Sequence, residues 1–114
     1  MTHERFEGER TLLRIHIGES DKWEGKLLYQ AIVELLRKEG FSGVTVLRGV
    51  GGYGSKSRYH TEKILRLSQD LPIVLEVVES HERIEAILPR LDDMVDGGLV
   101  TLEKVRVILY RSSK

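Results

Sequence analysis

The chain changes its hydrophobic period several times along its length, and the order of those changes limits what it can fold into. Leu12 to Ile17 alternates, with Leu13, Ile15 and Ile17 on one face and Leu12, Arg14 and His16 on the other, the two-residue period of a strand. Leu27, Leu28, Ala31, Ile32, Leu35 and Leu36 then recur at helical spacing. Just ahead of them, Asp21-Lys22-Trp23-Glu24 reads as a capping box, an acceptor followed three positions on by an acid. Gly40 stands where a helix ends in a left-handed residue. Val44 to Leu47 reads as a second strand. Leu71 to Glu79 reads as a third, with Pro72 at its start, where a missing N–H is tolerated. Ser80 opens a second helix carrying Ile84, Ile87, Leu88, Leu91 and Val95 on one face, and Pro89 inside it predicts a kink or a shortening. After Gly97-Gly98, Leu99 to Tyr110 is expected to be the last strand, irregular near Glu103-Lys104.

The order βαββαβ in 114 residues predicts a single α+β domain over residues 1–114. Its expected form is a ferredoxin-like sandwich, an antiparallel sheet with two helices on one face, preceded by a polar arm over residues 1–10. The other sheet face would carry Leu12, Leu47, Val74, Val78, Ile108 and Tyr110. That is too apolar for water, since a one-sided antiparallel sheet normally shows a polar outer face. Burial between identical subunits is the economical solution, so an oligomer is expected.

Between the second and third strands lies Arg48-Gly49-Val50-Gly51-Gly52-Tyr53-Gly54-Ser55-Lys56-Ser57-Arg58. Its glycines let bare backbone N–H groups approach a ligand, and Arg48, Lys56 and Arg58 surround them with positive charge. A site for an anion, for a partner protein, or for both is the functional reading; a glycine-built hairpin loop is the structural one. The rest of the composition narrows the classes. With 18 basic and 18 acidic residues, there is no basic excess of the kind that nucleic-acid binding uses. With no cysteine, disulfides, thiolate metal sites and a cysteine nucleophile are excluded. No apolar run reaches the roughly 20 residues of a membrane span, and no signal-peptide core precedes the first strand, so a cytoplasmic chain is expected.

Several strings mimic catalytic motifs without their context. Gly49-x-Gly51-x-x-Gly54 fits the dinucleotide fingerprint, but it joins two strands instead of a strand and a helix. Gly49 to Ser57 is a near miss for a P-loop: Ser55 inserts before Lys56 and moves the lysine out of register. His60-Thr61-Glu62 resembles the H-x-E of zinc deaminases, whose paired cysteines are absent here. Asp92, Asp93 and Asp96 cluster near the end of the second helix and read as a solvated face. No Ser/His/Asp set assembles, and the expectation is that the protein is not an enzyme.

Gly40-Phe41-Ser42-Gly43-Val44-Thr45-Val46 followed by a glycine-rich turn resembles the second-strand entry of the nitrogen-regulatory PII signalling proteins. The whole chain, from about Leu12 to Tyr110, is more similar still to a PII-like family of unknown function. The carrying pieces are Gly18-Glu19-Ser20-Asp21, Arg48 to Gly54, His60-Thr61, Leu67 to Pro72 and Gly98-Leu99-Val100-Thr101. The resemblance implies a homotrimer with sheets facing inward and an adenine nucleotide (ATP, ADP or AMP) as effector in clefts between subunits, with no cofactor required. It implies phosphate-holding positions at Gly51, Gly52 and Gly54 and at Asp96, Gly97 and Gly98, and a mobile loop over residues 51–70 that acts on a target protein. Taken with the loop's positive charge, the residues expected to bind the ligand are Arg48, Gly51, Gly52, Gly54, Lys56 and Arg58, with Gly97, Gly98 and Arg106 from the neighbour. Some members of this family are encoded beside fluoride-exporting channels, which makes a membrane channel one candidate target. Two departures from the PII pattern stand out: Leu99 takes the place of a lysine, and Arg106 and Arg111 do not reproduce the spacing of the two arginines on the last strand. Tyr59 lies outside the PII modification motif, and the loop is shorter. The alternatives are a divalent-metal-binding trimer of the copper-tolerance type, with His60 and Glu62 as ligands, and a slow nucleotide hydrolase.

Overall fold

In the computed structural model, residues 5–54 and 70–112 are described. Four strands form one antiparallel sheet: β1 (Arg5–Gly18), β4 (Thr45–Arg48), β5 (Pro72–Glu79) and β6 (Leu99–Arg111), in the order β4-β5-β1-β6. A two-stranded hairpin, β2 (Lys22–Trp23) and β3 (Lys26–Leu27), leads into α1 (Leu28–Lys38), and α2 (His81–Met94) joins β5 to β6. The ferredoxin-like α+β sandwich expected from the periodicity is the fold. The helices cover one sheet face because their apolar stripes match it. Leu28, Ala31, Ile32, Leu35 and Leu36 of α1, with Ile84, Ile87, Leu91 and Met94 of α2, pack on Leu13, Ile15, Ile17, Ile73, Leu75 and Val77.

The local differences from expectation have identifiable causes. No capping box forms at Asp21, and α1 starts at Leu28. Glu24 (φ 48°) and Gly25 (φ 79°) both take positive φ and close a tight β2–β3 turn, a conformation that excludes a first helical turn there. The Asp21 carboxylate accepts instead from the Gly18 N–H at 3.0 Å, and the Asp21 carbonyl accepts from the Leu28 N–H at 2.8 Å. α1 does end at Gly40 (φ 84°): the Phe41 N–H donates to the Leu36 carbonyl and the Gly40 N–H to that of Arg37, a Schellman close. Ser80 caps α2, accepting from the Arg83 N–H at 3.4 Å. Pro89 does not shorten that helix; it sits on the exposed side, where water can take up the carbonyl one turn back.

β1 begins well before Leu12. Arg5 to Arg10, part of the expected polar arm, continue the strand and, among the described residues, pair with β6 alone, since β5 reaches only Thr11 to Gly18. The irregularity in β6 lies not at Glu103-Lys104 but at a bulge where Ile108 and Leu109 oppose Glu7. This extra residue shifts the facing by one, so Tyr110 comes opposite Phe6 on the open face. The register places Leu12 beside Val78 and Leu47 beside Val74 on the same face, while Ile108 falls within the bulge. That face is the apolar one anticipated, with Leu47, Val78, Leu99, Leu109 and Tyr110 all exposed. At its centre Arg14 pairs with Glu76 (2.8 Å) and Glu103 (3.3 Å) from the strands on either side.

Candidate functional site

β1 ends at Gly18, and the chain turns there because two carboxylates hold its backbone. Asp21 takes the Gly18 N–H, Asp70 Oδ1 takes the Ser20 N–H at 3.2 Å, and the Glu19 N–H donates to the Leu71 carbonyl at 2.8 Å. A Cβ on Gly18 would stand 2.7 Å from Asp70 Oδ1. The exit of β4 is tied to the same place: the Gly49 N–H donates to the Pro72 carbonyl at 2.7 Å. The glycine-rich segment therefore leaves and returns at one point, beside the turn after β1.

Against that point the turn before β6 packs so closely that only glycine fits. A Cβ on Gly98 would lie 2.5 Å from the His16 carbonyl oxygen and 3.1 Å from both Ile17 Cγ2 and Val95 Cγ1. Between these segments opens a cavity of about 340 Å³, lined by His16, Gly18, Asp21, Tyr53, Gly54, Asp70, Pro72, Gly97, Gly98 and Leu99, with Ile17 and Ile73 behind them. Its size falls in the range of small-molecule sites. Among the described lining residues there is no lysine or arginine, and Leu99 supplies an apolar wall.

Of the residues singled out from sequence, the structure brings Gly54, Gly97 and Gly98 into this one cavity, all from the same chain. Gly52 runs past Pro72, a lining residue, and the Gly51 carbonyl turns back toward Gly49. Arg48 ends β4 opposite Ile73, a cavity residue, and its guanidinium is engaged by the Glu19 carboxylate. Arg106 lies further along β6, opposite Glu9, 3.8 Å from the Glu7 carboxylate and away from the cavity of its own chain. Lys56, Arg58, Tyr59, His60 and Glu62, and with them most of the 51–70 loop, lie outside the described residues. Sequence reasoning overlooked Glu19 and Asp21 as site residues and gave Tyr53 no role. A polar turn directly after a strand was the available signal, and reading Asp21 as a helix cap hid it.

Among the described residues no group of three or more histidines and carboxylates gathers to hold a metal ion; Asp92 and Asp93 are exposed on α2. Nor is any described helix long and apolar enough to cross a membrane.

Comparison with known proteins supports the same fold. The family model for DUF190, an uncharacterized ACR, matches residues 10–107. A UPF0166 protein of Methanocaldococcus jannaschii is 38% identical over 84% of this chain and 89% of its own length. One from Aquifex aeolicus is 35% identical over 88% and 94%. Among solved structures, a PII-like signaling protein from Thermus thermophilus is 25% identical, with a TM-score of 0.61 over 90% of this chain and 92% of that one. CPII from Thiomonas intermedia, solved bound to ADP and bicarbonate, has a TM-score of 0.58 at 18% identity, covering 91% of each chain. The resemblance seen in the motifs thus extends over 90% of the chain, and the chain belongs to the DUF190 family, built on the PII-like fold.

Proposed function

We propose that the protein is a trimeric PII-like regulator that binds a small anionic effector, an adenine nucleotide, and passes its occupancy to a partner protein through the glycine-rich loop. The observation that carries this reading is the meeting of Tyr53-Gly54 with Gly97-Gly98 at the end of β1. These segments are far apart in sequence, and the close packing of Gly98 on β1 serves to bring them together. A nucleoside fits the chemistry of the lining: Tyr53 and Leu99 offer surfaces for a base, and the Asp21 and Asp70 carboxylates offer acceptors for ribose hydroxyls. Arg48, paired on its strand with the cavity-lining Ile73, supplies charge for phosphate, with Lys56 and Arg58 assigned the same role from sequence. The ADP-bound state of CPII, on the same fold, makes ADP a rational first ligand.

The trimer is supported by the open sheet face. Leu47, Val78, Leu109 and Tyr110 expose 43–48% of their surface there, next to a broad concavity of about 950 Å³ lined by Phe6, Arg10, Leu12 and Val107. Apolar exposure on this scale calls for a partner, and a closed ring of identical chains supplies one. In such a ring Arg106 of a neighbour is free to approach the site. The target of the loop is a protein, a membrane channel being one candidate, and the setting is the cytoplasm.

The test is calorimetric titration of nucleotide-stripped protein with ATP, ADP and AMP, with and without magnesium, alongside light scattering. Saturable binding near one ligand per subunit, on a particle of three times the 13.1 kDa chain mass, is the expected result. A monomer, or no heat with any of the three nucleotides, refutes the reading.

A further inference from the structure

Arg48 ends β4 opposite Ile73, which lines the cavity, and it already has a carboxylate bound to it. Its Nη2 donates to Glu19 Oε2. The two partners differ in freedom: the Arg48 side chain is 58% exposed, that of Glu19 only 20%. Glu19 is also held from behind. Its own N–H is bonded to Leu71, that of Ser20 to Asp70, and that of Asp21 to the Gly18 carbonyl at 3.2 Å. A rigid turn therefore presents one carboxylate to the flexible end of an arginine, the arrangement that a bound anion would have.

We infer that Glu19 is a built-in competitor for the anion site, an autoinhibitory contact that an anion must displace to engage Arg48. The inference rests on the reading that the cavity takes an anionic effector. A ligand's apparent affinity falls by the fraction of protein in which Arg48 is free, whatever the ligand. A group with a single negative charge and two acceptor oxygens offers Arg48 nothing that Glu19 does not. A di- or triphosphate brings more charge and more acceptors, and displaces the carboxylate. A polyphosphate, with its greater charge, is therefore the probe best able to open the pair.

Inorganic pyrophosphate tests this without requiring that the cavity accept a base. It is titrated calorimetrically against wild type, Glu19→Gln, Glu19→Ala, Arg48→Ala and the Glu19→Gln/Arg48→Ala pair. An ion pair of this exposure contributes up to about 1 kcal/mol, so removing the competitor tightens pyrophosphate about two- to sixfold. Both Glu19 variants show the gain, and Arg48→Ala abolishes it. Unchanged or weaker binding in the Glu19 variants, a gain that survives Arg48→Ala, or no pyrophosphate binding by any variant each overturns the inference. The outcome is separable from that of the nucleotide reading. A wild type that ignores ATP alongside a Glu19→Gln variant that gains pyrophosphate affinity refutes the first and keeps the second. ATP binding with no effect of Glu19 does the reverse.

Discussion

Gly98→Ala probes the contact that assembles the site. The added methyl carbon would lie 2.5 Å from the His16 carbonyl oxygen. Carbon–oxygen contacts settle at about 3.3–3.6 Å, so the turn must retreat by about 0.8 Å or more. Neither side yields easily. His16 is paired with Leu99 at the first rung of the β1–β6 ladder, and Ile17 and Val95 stand 3.1 Å away on the other flanks. Overpacking of this kind costs about 1–3 kcal/mol, and a fixed backbone neighbour puts this case near 2–3. For a chain of this length each kcal/mol lowers the melting temperature by about 4 °C, so a fall of about 8–12 °C is expected. Urea unfolding at two protein concentrations separates the intrachain loss from any change in assembly. Gly43→Ala is the control, because a Cβ there meets nothing within 4 Å, and it is expected to be neutral or to stabilise by up to about 1 kcal/mol. A loss below about 0.5 kcal/mol in Gly98→Ala, or an equal loss in both variants, refutes the steric argument.

Gly40→Ala forces a β-carbon into φ 84° at the close of α1 and is expected to cost about 1 kcal/mol in chemical unfolding; no loss would mean that the left-handed close is not required. Arg14→Met should weaken the fold by a pH-independent amount between about pH 6 and 9. The hydrogen bond to Glu76 raises the guanidinium above its already high ordinary value, with burial opposing and the Glu76 and Glu103 charges adding to the rise. A raised basic group stabilises below its unfolded value and loses that contribution only as pH climbs through the folded one, beyond this window. A wild-type-minus-variant difference that changes across the window refutes the assignment.

The framework was legible because each sheet and helix residue on the covered face obeys one period. Leu13, Ile15 and Ile17 alternate, and Leu28 to Leu36 recur in threes and fours, with no polar interruption in either. The start of α1 was not legible. Asp21 and Glu24 carry the residue types of a helix entry, and only the positive φ of Glu24 and Gly25 shows that the hairpin prevails. The bulge in β6 leaves no mark in composition, since Ile108 and Leu109 are both apolar and either would suit a regular strand. The site was half visible: glycines betray close approach, as at Gly98, but Glu19 and Asp70 act through backbone bonds that pair distant segments and follow no local spacing.

β1 leads two lives. From Thr11 onward it is an inner strand with hydrogen-bonded neighbours on both sides; before that it belongs to a two-stranded ribbon whose other margin has no partner strand among the described residues. Such ribbons are marginal in water alone. Amide exchange in an isolated chain would therefore change from slow to fast within a single strand, at about Arg10. In the proposed trimer, where another chain would cover the ribbon, the step would flatten, so the exchange profile of β1 is a ruler for assembly.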